Sequence, residues 1–395
     1  MASVRLCGNS RGMRAAGYAA FLLFLPAYAG AQPPCPGDCD GNGSTAPVEL
    51  DAAVRAVFDT PTACAAADLD GDGTVTAAEL LRIRIAIVDP PAGCTVGPRS
   101  TWTPIDPLPG GPRQEIGVAA LAGRVYVLGG LTDTGAGSAR VETYDTAAQQ
   151  WEGAADLPAQ RHHIGALGFG GHVYSVGGFI GQSFNPAAEV YRFDPSANDW
   201  STVAPLPRPR GALAVAELNG LLYASGGSGP SGSVADHAVY DPVANMWTEL
   251  EPLPSPRNHL AAVALAPYVY VVGGRSDGGG TANTGELDRY DPVSGEWTVL
   301  TPMPTPRSGI AAAVFAGRIV VMGGEVNFDN PPTNVFVEVE VYDPASDRWT
   351  SLEPMAVPRH GIGAAAVGEL IYVPGGATSA AFAATAYSDT LRIVP

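Results

Sequence analysis

Residues 257–297 read RNHLAAVALAPYVYVVGGRSDGGGTANTGELDRYDPVSGEW. An arginine leads one apolar run, LAAVAL, and a second run, YVYVV, follows Pro267 and stops at Gly273-Gly274. A variable loop then reaches Tyr290-Asp291, and a short turn reaches Trp297. Short apolar runs punctuated by Gly, Pro and Asp predict four β-strands rather than helices. The same order recurs on both sides. Arg113, Arg161, Arg210, Arg257, Arg307 and Arg359 form one series. Gly-Gly pairs begin at Gly129, Gly177, Gly226, Gly273, Gly323 and Gly375. Trp102, Trp151, Trp200, Trp247, Trp297 and Trp349 are all the tryptophans of the chain. Three markers in register with one period define a repeat array.

These units resemble kelch repeats, and the resemblance covers residues 101–395. Phe193 takes the tyrosine position in the second unit, and the sixth unit ends without Tyr-Asp. The resemblance implies an all-β propeller with four strands per blade. The array enters on a Trp102 strand with no earlier strands of its own blade. It leaves on a third strand, predicted over residues 390–394, with no Trp strand after it. Those two segments are expected to share one blade, which gives six blades and hides two sheet edges.

Composition agrees with a strand-rich core. The 395 residues include 49 Gly and 36 Pro, yet 46% are hydrophobic, which argues against disorder. All 22 basic residues are Arg, and 39 acidic residues give a net charge of −17. Nucleic acid is excluded as a partner, because phosphate binding draws on basic patches.

The amino-terminal residues have the parts of a secretory signal, expected to span 1–31. Arg5, Arg11 and Arg14 precede an apolar stretch from Ala15 to Ala29, and small residues offer cleavage after Ala29 or Ala31. Pro26 interrupts a stretch already shorter than the roughly 18–20 residues of a membrane span. Export, to the extracellular space or the periplasm, is the expectation. Cys35, Cys39, Cys64 and Cys94 then form an even set in an oxidising compartment, consistent with two disulfides in any of three pairings.

Within that cysteine-bounded segment, residues 32–94, two stretches align: DCDGNGSTAPVE from Asp38 to Glu49 and DLDGDGTVTAAE from Asp68 to Glu79. Each has the oxygen-donor spacing of the EF-hand calcium loop. Asp38, Asp40, Asn42 and Glu49, with the Ser44 carbonyl, would hold one Ca2+. Asp68, Asp70, Asp72 and Glu79, with the Thr74 carbonyl, would hold a second. Gly43 and Gly73 allow the sharp turns, and exiting helices are predicted over 47–58 and 77–88. Duplicated loop-plus-helix units over residues 35–90 resemble the dockerin arrangement, a small α domain. Dockerins commonly carry Asp where Glu49 and Glu79 stand, so calcium sites are carried over and a cohesin partner is not. The expected role of calcium is stabilisation of the module. Residues 95–100 form a short linker to the propeller.

In kelch propellers the loop entering the innermost strand and the loop after Gly-Gly generally open on one face. The first set brings Arg113, Arg161, Arg210, Arg257, Arg307 and Arg359 with Gln114, Glu115, His162, His163, Asn258, His259, Ser308 and His360. Converging guanidiniums would suit carboxylates or acidic sugars. The alternative is that each arginine is paired inside its own blade. Glu115, His162, Asn258, Ser308 and His360 complete the candidate ligand site, and Phe179, Phe184, Asp277, Asn327, Phe328 and Asp329 lie on the loops after Gly-Gly. The preferred expectation is recognition of a glycan or protein, without catalysis, at a cell surface or in solution. A sugar mutarotase is the alternative, with Glu115, His162, His360 and Arg359 in one pocket. Copper chemistry of the galactose-oxidase kind lacks its crosslinked cysteine, and hydrolase or nucleotide motifs are absent from the sequence.

Overall fold

The computed structural model describes residues 44–45, 53, 75–88, 95–96, 99–182, 184–276, 282–325, 334–380 and 383–394. Among these, six four-stranded antiparallel sheets follow one another along the chain. The first comprises Gly117–Leu121, Arg124–Leu128, Val141–Asp145 and Gln150–Gly153. The fourth, Ala261–Leu265, Tyr268–Val272, Leu287–Asp291 and Glu296–Val299, falls on the runs read from the sequence. In the sixth sheet Ala365–Val367, Leu370–Pro374 and Ser388–Val394 are joined by Arg99–Ile105 from the other end of the array. Trp102 stands opposite Leu391 in that pairing. First strands of successive sheets lie side by side, and that of the sixth lies against that of the first. Among the described residues the architecture is an all-β propeller with almost no helix.

Each sequence marker has a physical task between or within sheets. The tyrosine of Tyr-Asp, or Phe193, sits opposite the tryptophan of the next strand, with centroids 5.0–5.2 Å apart in five sheets. The aspartate turns its Oδ1 onto amides two residues ahead, as Asp241 does for Val243 and Asp291 for Val293, both at 2.8 Å. Every indole N–H donates to a carbonyl of the neighbouring sheet's region: Trp151 to Asp106, Trp200 to Ala155, Trp247 to Ala204, Trp297 to Glu251 and Trp349 to Thr301. Trp102 donates to Glu353 across the chain ends.

The Gly-Gly pairs form a second set of links. The second glycine's amide donates to the carbonyl of the next sheet's arginine, from Gly130 to Arg161 at 2.8 Å through to Gly376 to Arg113 at 2.9 Å. Both glycines have positive φ. A Cβ on Gly129 would stand 2.4 Å from the Arg161 carbonyl oxygen, so any side chain would force the sheets apart. Apolar packing fills the gaps: Val125, Val127 and Tyr144 of the first sheet meet Ala365 and Tyr372 of the sixth.

Outside the sheets, residues 44–45 pair in parallel with 95–96. The helix predicted over 77–88 is present as Ala77–Val88. Thr76 caps it, its amide and hydroxyl each donating to Glu79 Oε2 at 2.7 Å. This is the reciprocal capping box of a Thr-x-x-Glu start. Cys35, Cys39, Cys64 and Cys94, the helix over 47–58 apart from helical Ala53, and the side chains of every expected calcium ligand except Glu79 lie outside the described residues.

His237 breaks the apolar pattern of the third strands, where Val141, Val190, Leu287 and Val339 stand. Its ring packs on Tyr223, Tyr290 and Trp297, and Nδ1 contacts Ser225 Oγ at 2.9 Å. Burial, aided by the Arg210 charge, pushes its pKa down to about 3. The unfolded chain protonates this imidazole near pH 6.5 while the folded chain refuses the proton, so stability falls as pH drops from about 6.5 towards 3. Urea unfolding of the wild type is expected to lose on the order of 2 kcal/mol more than His237→Leu between pH 7 and 4.5. Parallel pH profiles for the two proteins would contradict a buried neutral histidine.

Candidate functional site

The six arginines do not converge on the mouth, which corrects their placement as ligand-binding residues. All are at most 3% exposed. Arg113 pairs with Glu142, Arg161 with Glu189, Arg210 with Asp236, Arg257 with Glu286 and Asp288, Arg307 with Glu340, and Arg359 with Asp389. In two of them further N–H groups go to carbonyls of the same repeat: Arg307 reaches Gly323 and Val321, and Arg359 reaches Val373 and Gly375. A guanidinium taken out of water needs a carboxylate, and the start of the third strand or the residue just before it supplies one in each repeat.

Two residues beyond each arginine the backbone turns left-handed. The φ angles are 54° at Glu115, 53° at His163, 50° at Ala212, 53° at His259, 65° at Gly309 and 58° at Gly361. That turn points each amide sideways at its neighbour. His163 donates to Glu115, Ala212 to His163, His259 to Ala212, Gly309 to His259, Gly361 to Gly309 and Glu115 to Gly361, all within 2.7–3.0 Å. The result is a closed ring of six backbone hydrogen bonds. A small pocket touched by all six sheets opens at this ring. Glu115, His163 and His259 supply its polar lining. A Cβ on Gly361 would stand 2.6 Å from Glu115 Oε1, so the glycine makes room for the acid.

Around the ring the ionisable groups touch one another. His163 Nε2 lies 3.3 Å from Glu115 Oε2, and the Nδ1 atoms of His162 and His163 share a hydrogen bond. His360 Nδ1 stands 3.7 Å from Glu115 Oε1 and 3.5 Å from Glu325 Oε2. Arg275 pairs with Glu325, donates to Ser308 Oγ at 3.1 Å, and places Nη2 at 3.1 Å from His259 Nε2. Asn258 Oδ1 holds His259 Nδ1, while Asn258 Nδ2 donates to Ser233 at 2.7 Å. Burial pushes Glu115 up to about 8, with the Glu325 charge adding and Arg275 opposing. Burial pushes His162 down to about 4 and drives His163 and His259 well below the usual imidazole range. His360 is lowered by burial against the pull of Glu325. The site therefore holds neutral imidazoles beside a carboxyl that keeps its proton near neutral pH.

Most candidate residues other than the arginines meet here. Glu115, His162, Asn258, Ser308 and His360 all belong to the cluster. The two loop sets do share one face: His162 pairs with Phe179, Asn258 with Arg275, Ser308 with Glu325 and His360 with Ala377. Arg275 and Glu325 were not anticipated. Each directly follows Gly-Gly, where other repeats carry Leu131, Phe179, Ser228 and Ala377, and that departure was the available signal. Arg275, not Arg359, is the cation of the pocket. Phe184 is 48% exposed and Ile180 42%, and the Phe184 ring lies 4.9 Å from His162. Asp277, Asn327, Phe328 and Asp329 lie outside the described residues.

Similarity to known proteins follows the repeat. Kelch-like protein 40 of Xenopus laevis is 29% identical over 87 residues, 22% of this chain and 14% of that protein. Kelch-like protein 8 of Caenorhabditis elegans is 33% identical over 70 residues, 18% of this chain and 10% of that protein. The matched segments thus span a small part of either relative. The solved structure of YjhT superposes with a TM-score of 0.62 at 16% identity, covering 74% of this chain and 99% of that one, a likeness of fold. The family model of the Attractin/LZTR1 beta-propeller matches residues 125–384, well over half of the sequence, and the chain belongs to that family.

Proposed function

We propose that this chain is an exported recognition protein whose propeller face binds a glycan or a protein without catalysing a reaction. The observation that carries the reading is the pairing, on one face, of exposed Phe184 and Ile180 with the polar pocket at the ring. Aromatic surface beside a few fixed polar groups is what a recognition site needs. A kelch-type propeller also suggests an interaction role. The finer organisation belongs to the same proposal. Residues 1–31 are a signal, residues 32–94 a disulfide-linked module holding two Ca2+ for stability, and residues 95–100 a linker. Residues 101–395 are a six-bladed propeller closed by its terminal strands. The helix Ala77–Val88, which leaves the second loop, supports the calcium module, since an EF-hand loop is followed by an exiting helix. Pairing of Arg99–Ile105 with Ser388–Val394 supports the closure.

A second reading, sugar mutarotation, is favoured by one feature: the raised carboxyl of Glu115 beside His163 and His360. A protonated acid among neutral imidazoles can exchange protons with a ring oxygen and an anomeric hydroxyl. NMR of the mature protein with neutral and acidic sugars separates the readings. Saturation transfer without faster anomeric exchange is expected, and Phe184→Ala should abolish it. Faster exchange would replace recognition with mutarotation. If neither effect appears, glycan binding is ruled out and the ligand is a protein, to be sought by pull-down with and without calcium.

A further inference from the structure

Six repeats place six residues on the hydrogen-bonded ring, and only three of them carry donor atoms. Glu115, His163 and His259 come from the first, second and fourth sheets, while Ala212, Gly309 and Gly361 supply no side-chain ligand. Glu115, His163 and His259 each adopt a left-handed conformation that non-glycine residues rarely take. Ala212 turns the same way at φ 50°, so the conformation belongs to the ring itself. Here the ring of backbone bonds fixes it and aims all three side chains into one pocket. One ligating atom from each lies within 4.8 Å of the other two.

We propose that Glu115, His163 and His259 bind one divalent transition-metal ion of the zinc class at the ring. Two imidazoles and one carboxylate form a donor set that zinc takes in open, catalytic-type sites, at about 2.0–2.2 Å from each ligand. Three atoms within 4.8 Å of one another have a common centre no more than roughly 2.8 Å from each. Each donor therefore moves inward by at most about 0.7 Å, within reach of a side-chain torsion. Outer contacts orient the ligands. Asn258 accepts from His259 Nδ1 and is itself held through Ser233, which leaves the His259 Nε2 lone pair towards the pocket. His162 holds His163 through Nδ1 in the same way and leaves Nε2 beside Glu115. The ion takes the place of Arg275 Nη2 at His259, and Arg275 keeps its bonds to Glu325 and Ser308. The small residues of the other three sheets leave coordination positions open to a ligand arriving from the loop face.

The test is a titration of the full mature chain, oxidised, stripped with EDTA and returned to excess Ca2+ so that the amino-terminal loops are occupied. Isothermal titration with Zn2+ is expected to show one equivalent. Glu115→Gln and His259→Ala should each weaken it on the order of 100-fold or more, and His172→Ala, on a different part of the second sheet, should leave it unchanged. Melting curves in EDTA verify that the variants fold. Co2+ added to the unsubstituted chain gives a readout independent of any variant: intense visible bands of four- or five-coordinate cobalt are expected. No Zn2+ equivalent in excess Ca2+, equal binding by both variants, or only the weak bands of six-coordinate cobalt would overturn the proposal.

Discussion

Deletion of residues 388–395 is expected to leave aggregated or unfolded protein. The deleted strand is internal to its sheet, pairing with Arg99–Ile105 on one side and Leu370–Pro374 on the other. Its loss exposes two unpaired edges, and the Trp102 strand has nothing left to join. Leu391, fully buried, leaves the packing between the fifth and sixth sheets. Asp389 goes as well, and its departure strands the Arg359 guanidinium, at about 3–5 kcal/mol for an orphaned buried charge. Leu391→Ala alone should cost about 2–5 kcal/mol. Added together, these losses consume a stability of about 5–15 kcal/mol. Size-exclusion chromatography and thermal melting decide the matter. A truncation that stays monomeric and melts normally would show that the terminal strands do not hold the propeller together.

What was legible in the sequence, and what was not, divides along the repeat. Features that recur in every unit do so because every sheet solves the same packing problem. Tryptophan supplies one bond to the neighbouring sheet, Gly-Gly supplies another, and Tyr-Asp supplies a ring contact and a turn. Periodicity alone therefore located the strands to within a residue or two: the last strand was predicted from Thr390 and begins at Ser388. The direction of the arginine side chains was not legible. Their carboxylate partners sit at two alternative positions, just before the third strand at Glu189, Asp236 and Glu286, or second in it at Glu142, Asp288, Glu340 and Asp389. No fixed spacing flags such a partner.

The candidate site is the opposite case, written in departures from the repeat. Glu115, His163 and His259 replace the small residues seen at Ala212, Gly309 and Gly361, and Arg275 and Glu325 replace apolar or small residues after Gly-Gly. Sequence could mark those positions as unusual. Only the left-handed turn, which swings side chains from three separate sheets into one pocket, brings them together. That turn is a property of the repeat's backbone torsions rather than of one residue type, since Glu115, His163, Ala212 and His259 share it with Gly309 and Gly361.

Arg307→Met is the sharper discriminator between scaffold and site. If the arginine series bound ligand, the substitution would remove charge from a mouth and leave the fold untouched. Within the sheet, Arg307 is fully buried and its donors serve Gly323, Thr305, Val321 and Glu340. Methionine matches the stem but leaves Glu340, itself 3% exposed, without its cation and takes one donor from each of three carbonyls. A loss of about 3–5 kcal/mol is expected in urea unfolding. Glu340→Gln in the same background should recover part of it, because the stranded charge is removed along with its partner. A stability change under about 0.5 kcal/mol, the ordinary size for a surface substitution, would return the arginine to the ligand-binding face. The buried pairing predicts the reverse: zinc and sugar binding, measured per folded molecule, should survive Arg307→Met, because the polar ring draws its cation from Arg275.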